Sequence, residues 1–124
     1  MYFLYQAVLS IILLISPLVI ILRIFKDKED KKRFVEKFSL TSEKRQNGLL
    51  VWFHACSVGE ILSIIPLIKY YEKNNDVNQI LVTSSTVSSY KVFKKFKLKK
   101  TIHQFYPIDH FIFVNSFLNY WKPN

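Results

Sequence analysis

Glycine is nearly missing from this sequence: its 124 residues hold two, Gly48 and Gly59. Loops that cradle phosphates, of the P-loop or dinucleotide type, need glycines at close fixed spacing, so both are excluded. Cysteine is rarer still. Cys56 stands alone, which rules out an intrachain disulfide and fits a reducing compartment. The three histidines, His54, His103 and His110, lack the close spacing of zinc ligands, and no metal or cofactor is expected. Acidic residues are half as common as basic ones, 9 against 18, for a net charge of +9. That balance favours anionic partners: membrane phospholipid, phosphorylated substrates or nucleic acid.

What the chain does have is apolar residues, half of the total, and part of them form one N-terminal block. Residues 2–22 carry no charge. As a helix rising ~1.5 Å per residue they reach about 30 Å, the thickness of a bilayer core. Pro17 would kink such a helix, which membranes tolerate. A signal peptide would place its basic region ahead of the apolar run, yet the first basic residue is Arg23, and no clear small-residue cleavage site is visible. An uncleaved anchor is expected instead, spanning the membrane or lying partly in its interface.

Behind it come Arg23, Lys26, Lys28, Lys31, Lys32, Arg33 and Lys37. By the positive-inside rule the rest of the chain then lies on the cytoplasmic face. Asp27, Glu29, Asp30 and Glu36 dilute that charge, giving a mixed helix surface on which Phe34 and Phe38 rest on membrane or domain, or which is simply solvated. Residues 41–48 are polar and read as a linker. The expected division is an anchor over 1–25, a basic juxtamembrane helix and linker over 26–48, and a partial α/β domain over 49–124.

The stretch Val51-Trp52-Phe53-His54-Ala55-Cys56-Ser57-Val58-Gly59-Glu60 organises that domain. Its apolar start reads as a buried strand, 49–54, and Ser57 and Glu60 stand in the relation of a capping box. The helix predicted over 58–73 carries Ile61, Ile64, Ile65, Ile68 and Tyr71 on one face, with Pro66 as a defect. A second strand is predicted over 79–83 and a short basic helix over 88–95. A third strand, 102–106, precedes a helix over 111–120 that Asp109 would cap and whose apolar residues are Phe113, Val114, Phe117 and Leu118. Strands alternating with helices imply a parallel sheet with right-handed crossovers. In such sheets the chemistry gathers at the carboxyl edge.

Four groups of residues carry candidate chemistry, each beside a plainer reading. Ser57 and Glu60 either only cap a helix or sit in a site. His54 and Cys56 either form a Cys–His pair or are a packed thiol beside a sheet histidine. Ala55-Cys56-Ser57-Val58-Gly59 is one residue from a G-x-S-x-G nucleophile elbow. A serine hydrolase using Ser57 would need Asp109 and His110, which are adjacent and poorly placed to act on one another, and an earlier strand for the oxyanion loop. Lastly, residues 90–100 mix lysines with Tyr90, Val92, Phe93 and Phe96. They suit an anionic lipid or phosphorylated ligand ahead of nucleic acid, or form a solvated face over a packed stripe.

Together these residues resemble the N-terminal domain of the 3-deoxy-D-manno-octulosonic acid (Kdo) transferases. The resemblance begins with the apolar N-terminal segment and its basic follow-on, Lys32-Arg33-Phe34 and Glu36-Lys37-Phe38, peaks at Trp52-Phe53-His54-Ala55-Cys56-Ser57-Val58-Gly59-Glu60, and runs through Pro66-Leu67-Ile68, Leu81-Val82-Thr83-Ser84-Ser85-Thr86, Phe105-Tyr106-Pro107-Ile108-Asp109, Phe117-Leu118 and Trp121-Lys122-Pro123. Cys56 stands where the family usually has a second small residue, and Val87-Ser88-Ser89 replaces a Pro- and Gly-containing turn. The resemblance implies an α/β fold: an N-terminal membrane helix followed by part of a Rossmann-like parallel sheet, the N-terminal half of a GT-B glycosyltransferase. It implies that Glu60 is the general base, with Ser57, Gly59, Thr83, Ser84 and Thr86 around the substrate. The lipid A precursor would be the acceptor. CMP-Kdo would be the donor, held by a C-terminal domain beyond these residues, so the chain by itself is expected to be inactive. The inner membrane is the expected location, with no nucleic acid partner. A non-catalytic membrane-tethered module binding anionic lipid is the alternative of a different class.

Overall fold

The computed structural model describes residues 1–26 and 31–124. The expectations that rest on Asp27, Lys28, Glu29 and Asp30 lie outside them. Helix α1, Tyr2–Phe25, runs through Pro17 without ending and is long and apolar enough to cross a membrane. A 3-10 helix follows at Phe34–Phe38. The α/β part then alternates β1 (Leu49–His54), α2 (Val58–Glu72), β2 (Val77–Ser84), α3 (Val87–Lys94), β3 (Thr101–Phe105) and α4 (Phe111–Trp121). The three strands form one parallel sheet in the order β1-β2-β3. The expected α/β class and parallel pairing hold.

Both faces of the sheet are covered, which is why Ile80-Leu81-Val82 is apolar without alternation. Side chains still alternate in direction along the strand. Ile80 and Val82 pack with Ile61, Ile65 and Ile68 of α2 and Phe93 of α3. Leu81 joins Leu50, Phe117 and Trp121 on the α4 side. The isoleucine spacing of α2 therefore reads as predicted, with Pro66 on the exposed side of an unbroken helix. β2 is longer than the predicted 79–83, because Val77 is also buried against α2, and an Asn74 turn, in which Oδ1 accepts from the Asp76 amide, sets its start.

Four expectations need correction. The apolar stripe of α4 turns on Phe117 and Trp121, both buried, whereas Leu118 is 38% exposed. Trp121 is drawn inward because its Nε1 donates to Gln104 Oε1 on β3 at 2.8 Å. The cap of α4 is His110, whose Nδ1 accepts from the Ile112 amide, and not Asp109, which instead accepts from the Tyr5 hydroxyl of α1 at 2.9 Å.

Glu36 is no part of a solvated charged surface: it is fully buried and paired with Arg33 at 2.8 Å. Arg33 lies over the rings of Tyr90 and Phe105 and donates to the His103 carbonyl, so the pair is pinned beneath β3. Phe38 rests on the domain, edge-on to Phe113 at 5.5 Å. Finally, residues 41–48 are laced to the sheet rather than loose: Gln79 receives the Gln46 amide and donates to the Lys44 carbonyl. Gly48 has φ +100°, and a Cβ there would fall 2.1 Å from Asn78 Oδ1, so this position requires glycine.

Candidate functional site at the carboxyl edge of the sheet

β1 delivers His54 to the sheet edge, Ala55 buries itself, and the chain turns into α2 at the N-cap Ser57. The Ser57 hydroxyl accepts from the Glu60 amide at 3.3 Å. Glu60 reaches back, but to the Cys56 amide, 2.7 Å from Oε2, one residue ahead of the usual partner in a capping box. The exposed carboxylate is thus anchored by one oxygen at the positive end of a helix, which suits an anion. Gly59 lies between these two residues with open space where a Cβ would stand. Its backbone does not require glycine, and no neighbour of the fold crowds it.

The stretch Thr83-Ser84-Ser85-Thr86 divides in two, its first pair closing β2 and Thr86 capping α3. Thr83 and Ser84 are fully buried, and their hydroxyls are engaged inside the domain. Thr83 Oγ1 accepts from Trp52 Nε1 and meets His54 Nδ1, each at 2.9 Å, while Ser84 Oγ pairs with His103 Nε2 at 2.6 Å. Thr86 caps α3 by accepting from the Ser89 amide. It also lines, with Ser85 and Ile108, a groove of about 470 Å³ whose other wall is Ile12, Ile15 and Val19 of α1.

Two aromatic residues that carried no assigned role complete the edge. Tyr106 stacks on Trp52, nearly parallel at 6.5 Å, and packs at a tilt against His54 at 4.4 Å. Burial, then the nearby Asp109 and Cys56, push its phenol above the ordinary tyrosine value. Its position one residue past β3, at the same edge as His54, was the available signal.

Ser57, Asp109 and His110 do not assemble into a hydrolase triad. Ser57 is bonded to the Glu60 amide, Asp109 to Tyr5, and the His110 ring to Ile112 and, at 3.5 Å, to Ser10. No cluster of three His, Cys, Asp or Glu that could hold a metal occurs among the described residues. Of the basic run, Phe93 is buried and Val92 and Phe96 pack against the core, while Lys91, Lys94, Lys95, Lys97 and Lys99 are exposed. Lys100 is tied to the Asn74 and Val77 carbonyls.

A family profile described as 3-deoxy-D-manno-octulosonic-acid transferase (kdotransferase) matches residues 32–124. The chain is similar to the 3-deoxy-D-manno-octulosonic acid transferase of Rickettsia bellii, 37% identical over 121 residues, which is 98% of this chain and 29% of that protein. A probable mitochondrial 3-deoxy-D-manno-octulosonic acid transferase of Arabidopsis thaliana is 37% identical over 113 residues, 89% of this chain and 25% of that protein. The transferase of Rickettsia felis is 44% identical over 75 residues, 60% of this chain and 16% of that protein. The chain therefore spans less than a third of the length of each of these three relatives. No solved structure matches it.

Proposed function

The chain belongs to the 3-deoxy-D-manno-octulosonic acid (Kdo) transferase family, and from that premise we propose that it forms the acceptor-side part of an inverting glycosyltransferase. In this reading Kdo passes from CMP-Kdo to a lipid A precursor in lipopolysaccharide assembly. The observation that carries it is the Glu60 carboxylate, exposed and anchored through one oxygen, beside the open surface left by Gly59. Glu60 takes the proton of a sugar hydroxyl as that oxygen attacks the anomeric carbon of Kdo. The bond from that carbon to the CMP phosphate breaks, CMP leaves, and configuration inverts. Ser57 caps the turn that aims Glu60, Gly59 leaves the surface beside the carboxylate open to substrate, and Thr86 borders the acceptor. Thr83 and Ser84 act from beneath, by holding the strand ends. The donor belongs to a nucleotide-binding domain outside these residues.

The test is a chimera that joins these 124 residues to the remainder of the Rickettsia bellii protein. It should transfer Kdo to a lipid A precursor, while the 124-residue chain alone shows no heat of binding with CMP-Kdo in calorimetry. A folded chimera that binds CMP-Kdo and anionic vesicles yet transfers nothing would favour the non-catalytic lipid-binding module.

We further propose that α1 holds the domain at the inner membrane on its cytoplasmic face. The support is the 24-residue helix, without charge through Leu22, with Arg23 in its last turn and the lysines behind it. A reporter fused after Asn124 should be active only in a cytoplasmic form, and periplasmic activity would overturn this topology.

A further inference from the structure

Helix α1 touches the α/β domain at points far apart along its length. Near its start, the Tyr5 hydroxyl donates to Asp109 Oδ2 at 2.9 Å, and Ser10 Oγ lies 3.5 Å from His110 Nε2. Near its end, Arg23 lines a groove together with Lys37, Ser85, Thr86 and Ile108. In between, exposure falls at Leu9, Leu13, Ser16 and Ile20, every three or four residues, so one stripe of the helix faces the domain. The helix therefore lies along the carboxyl edge of the sheet, against the segments that follow β2 and β3.

The helix has the length to cross a bilayer, but these contacts forbid it. From Tyr5 to Arg23 it rises about 27 Å at ~1.5 Å per residue, nearly the whole hydrocarbon core. With Arg23 among the headgroups of one leaflet, Tyr5 would stand near the other. Asp109 and His110 would have to follow it across, taking a carboxylate and the edge of the domain through hydrocarbon.

The rest of α1 still needs cover, because a helix that is apolar on all sides is stable only when surrounded. The domain covers one stripe. Leu4, Ile11, Leu14, Leu18, Leu22 and Phe25 are exposed, and Phe111 of α4, also exposed, continues this surface beside Tyr2 and Phe3. Arg23 and Lys37 set positive charge at one end of it, which complements anionic headgroups.

We propose that α1 lies in the plane of the membrane interface without crossing it, its outer face and Phe111 forming a surface for one leaflet of a phospholipid bilayer. The domain supplies the polar side that an in-plane helix otherwise carries itself. The carboxyl edge of the sheet is then held at the depth of the headgroups. This rests on the reading of α1 as the inner-membrane anchor and fixes its geometry.

The experiment expresses the full chain in bacteria with one short protease-sensitive epitope ahead of Met1 and a different one after Asn124. Protease is then added outside spheroplasts. Both epitopes should survive while the spheroplasts are intact and be lost once the membrane is opened, with the chain in the membrane pellet. Loss of one epitope alone from intact spheroplasts would show a crossing helix and overturn the proposal. Loss of both would keep α1 in the plane and overturn only its assignment to the cytoplasmic face. Recovery of a soluble oligomer would give the apolar face to a second copy of the chain, and the lipid surface would be wrong. A second measurement needs no epitope: with Cys56→Ala, the pair Ser10→Cys and His110→Cys should be bridged within one chain by a short bismaleimide in isolated membranes. Two reactive cysteines that never bridge would also overturn the proposal.

Discussion

Replacement of Glu60 by Gln in the chimera is expected to leave the fold intact and to lower Kdo transfer by about two to four powers of ten, the range for loss of a general base. The amide is isosteric and keeps an oxygen to accept from the Cys56 amide, now at 2.7 Å from the carboxylate. The helix turn should survive, and what disappears is the capacity to take a proton. Ser57→Ala separates the two roles of this turn. It removes the hydroxyl that accepts from the Glu60 amide and should cost about 1 kcal/mol of stability in thermal melts. A Glu60→Gln chimera with near-normal turnover would reduce Glu60 to a capping residue and remove the chemical basis of the proposed function.

The second large effect is expected on acidification and centres on His103. This β3 residue is 5% exposed, bonded to Ser84 Oγ and close to Arg33 Nη2 at 3.2 Å. Burial, followed by the Arg33 charge, lowers its pKa from 6.5 to about 3. The unfolded chain therefore takes up a proton near 6.5 that the folded chain refuses until about 3. Between those values the unfolded state binds more protons, so stability is full above the window and is lost as pH falls through it, by about 1.4 kcal/mol per pH unit.

Glu36 works in the opposite sense. Burial raises its pKa above the ordinary carboxylate value against the pull of Arg33 and Ser42. The folded state therefore takes that proton first, which offsets part of the loss as pH falls. Tyr90 and Phe93 pack on the His103 ring and keep it from water. Thermal melts in detergent from about pH 7 to about pH 4 should show a steep fall in the wild type and a shallower one in His103→Asn. Coincident slopes would show that His103 does not control acid stability.

Leu49–His54, the isoleucine face of α2, the parallel pairing and the Ser57 cap could all be read directly from residue order. The elements depend on neighbours within a turn or a strand, a period near two, a period near four, or an oxygen placed three residues before an amide, and the parallel pairing follows from their alternation along the chain. The place of Glu60 at a strand-to-helix turn followed from the same local rules.

Other features depended on partners far along the chain. Glu36 looks like one more surface charge until Arg33, seventy residues from His103, is placed under Tyr90 and Phe105. Asp109 is the cap that the sequence favours, yet His110 takes the place, because the Asp109 carboxylate accepts from Tyr5 of α1. The resemblance places Thr83 and Ser84 around the substrate, and the sheet turns both hydroxyls inward against Trp52, His54 and His103. Spacing alone allowed Cys56 and His54 to meet without requiring it. The contact follows from the Thr83 hydroxyl, thirty positions from the Phe53 carbonyl it also touches, which sets the imidazole. The sequence by itself therefore determined which segments are helix or strand and where the sheet edge lies, because those choices are local. Only the tertiary structure decided which polar groups are buried, paired or left open, because desolvation and hydrogen bonding depend on what is packed alongside.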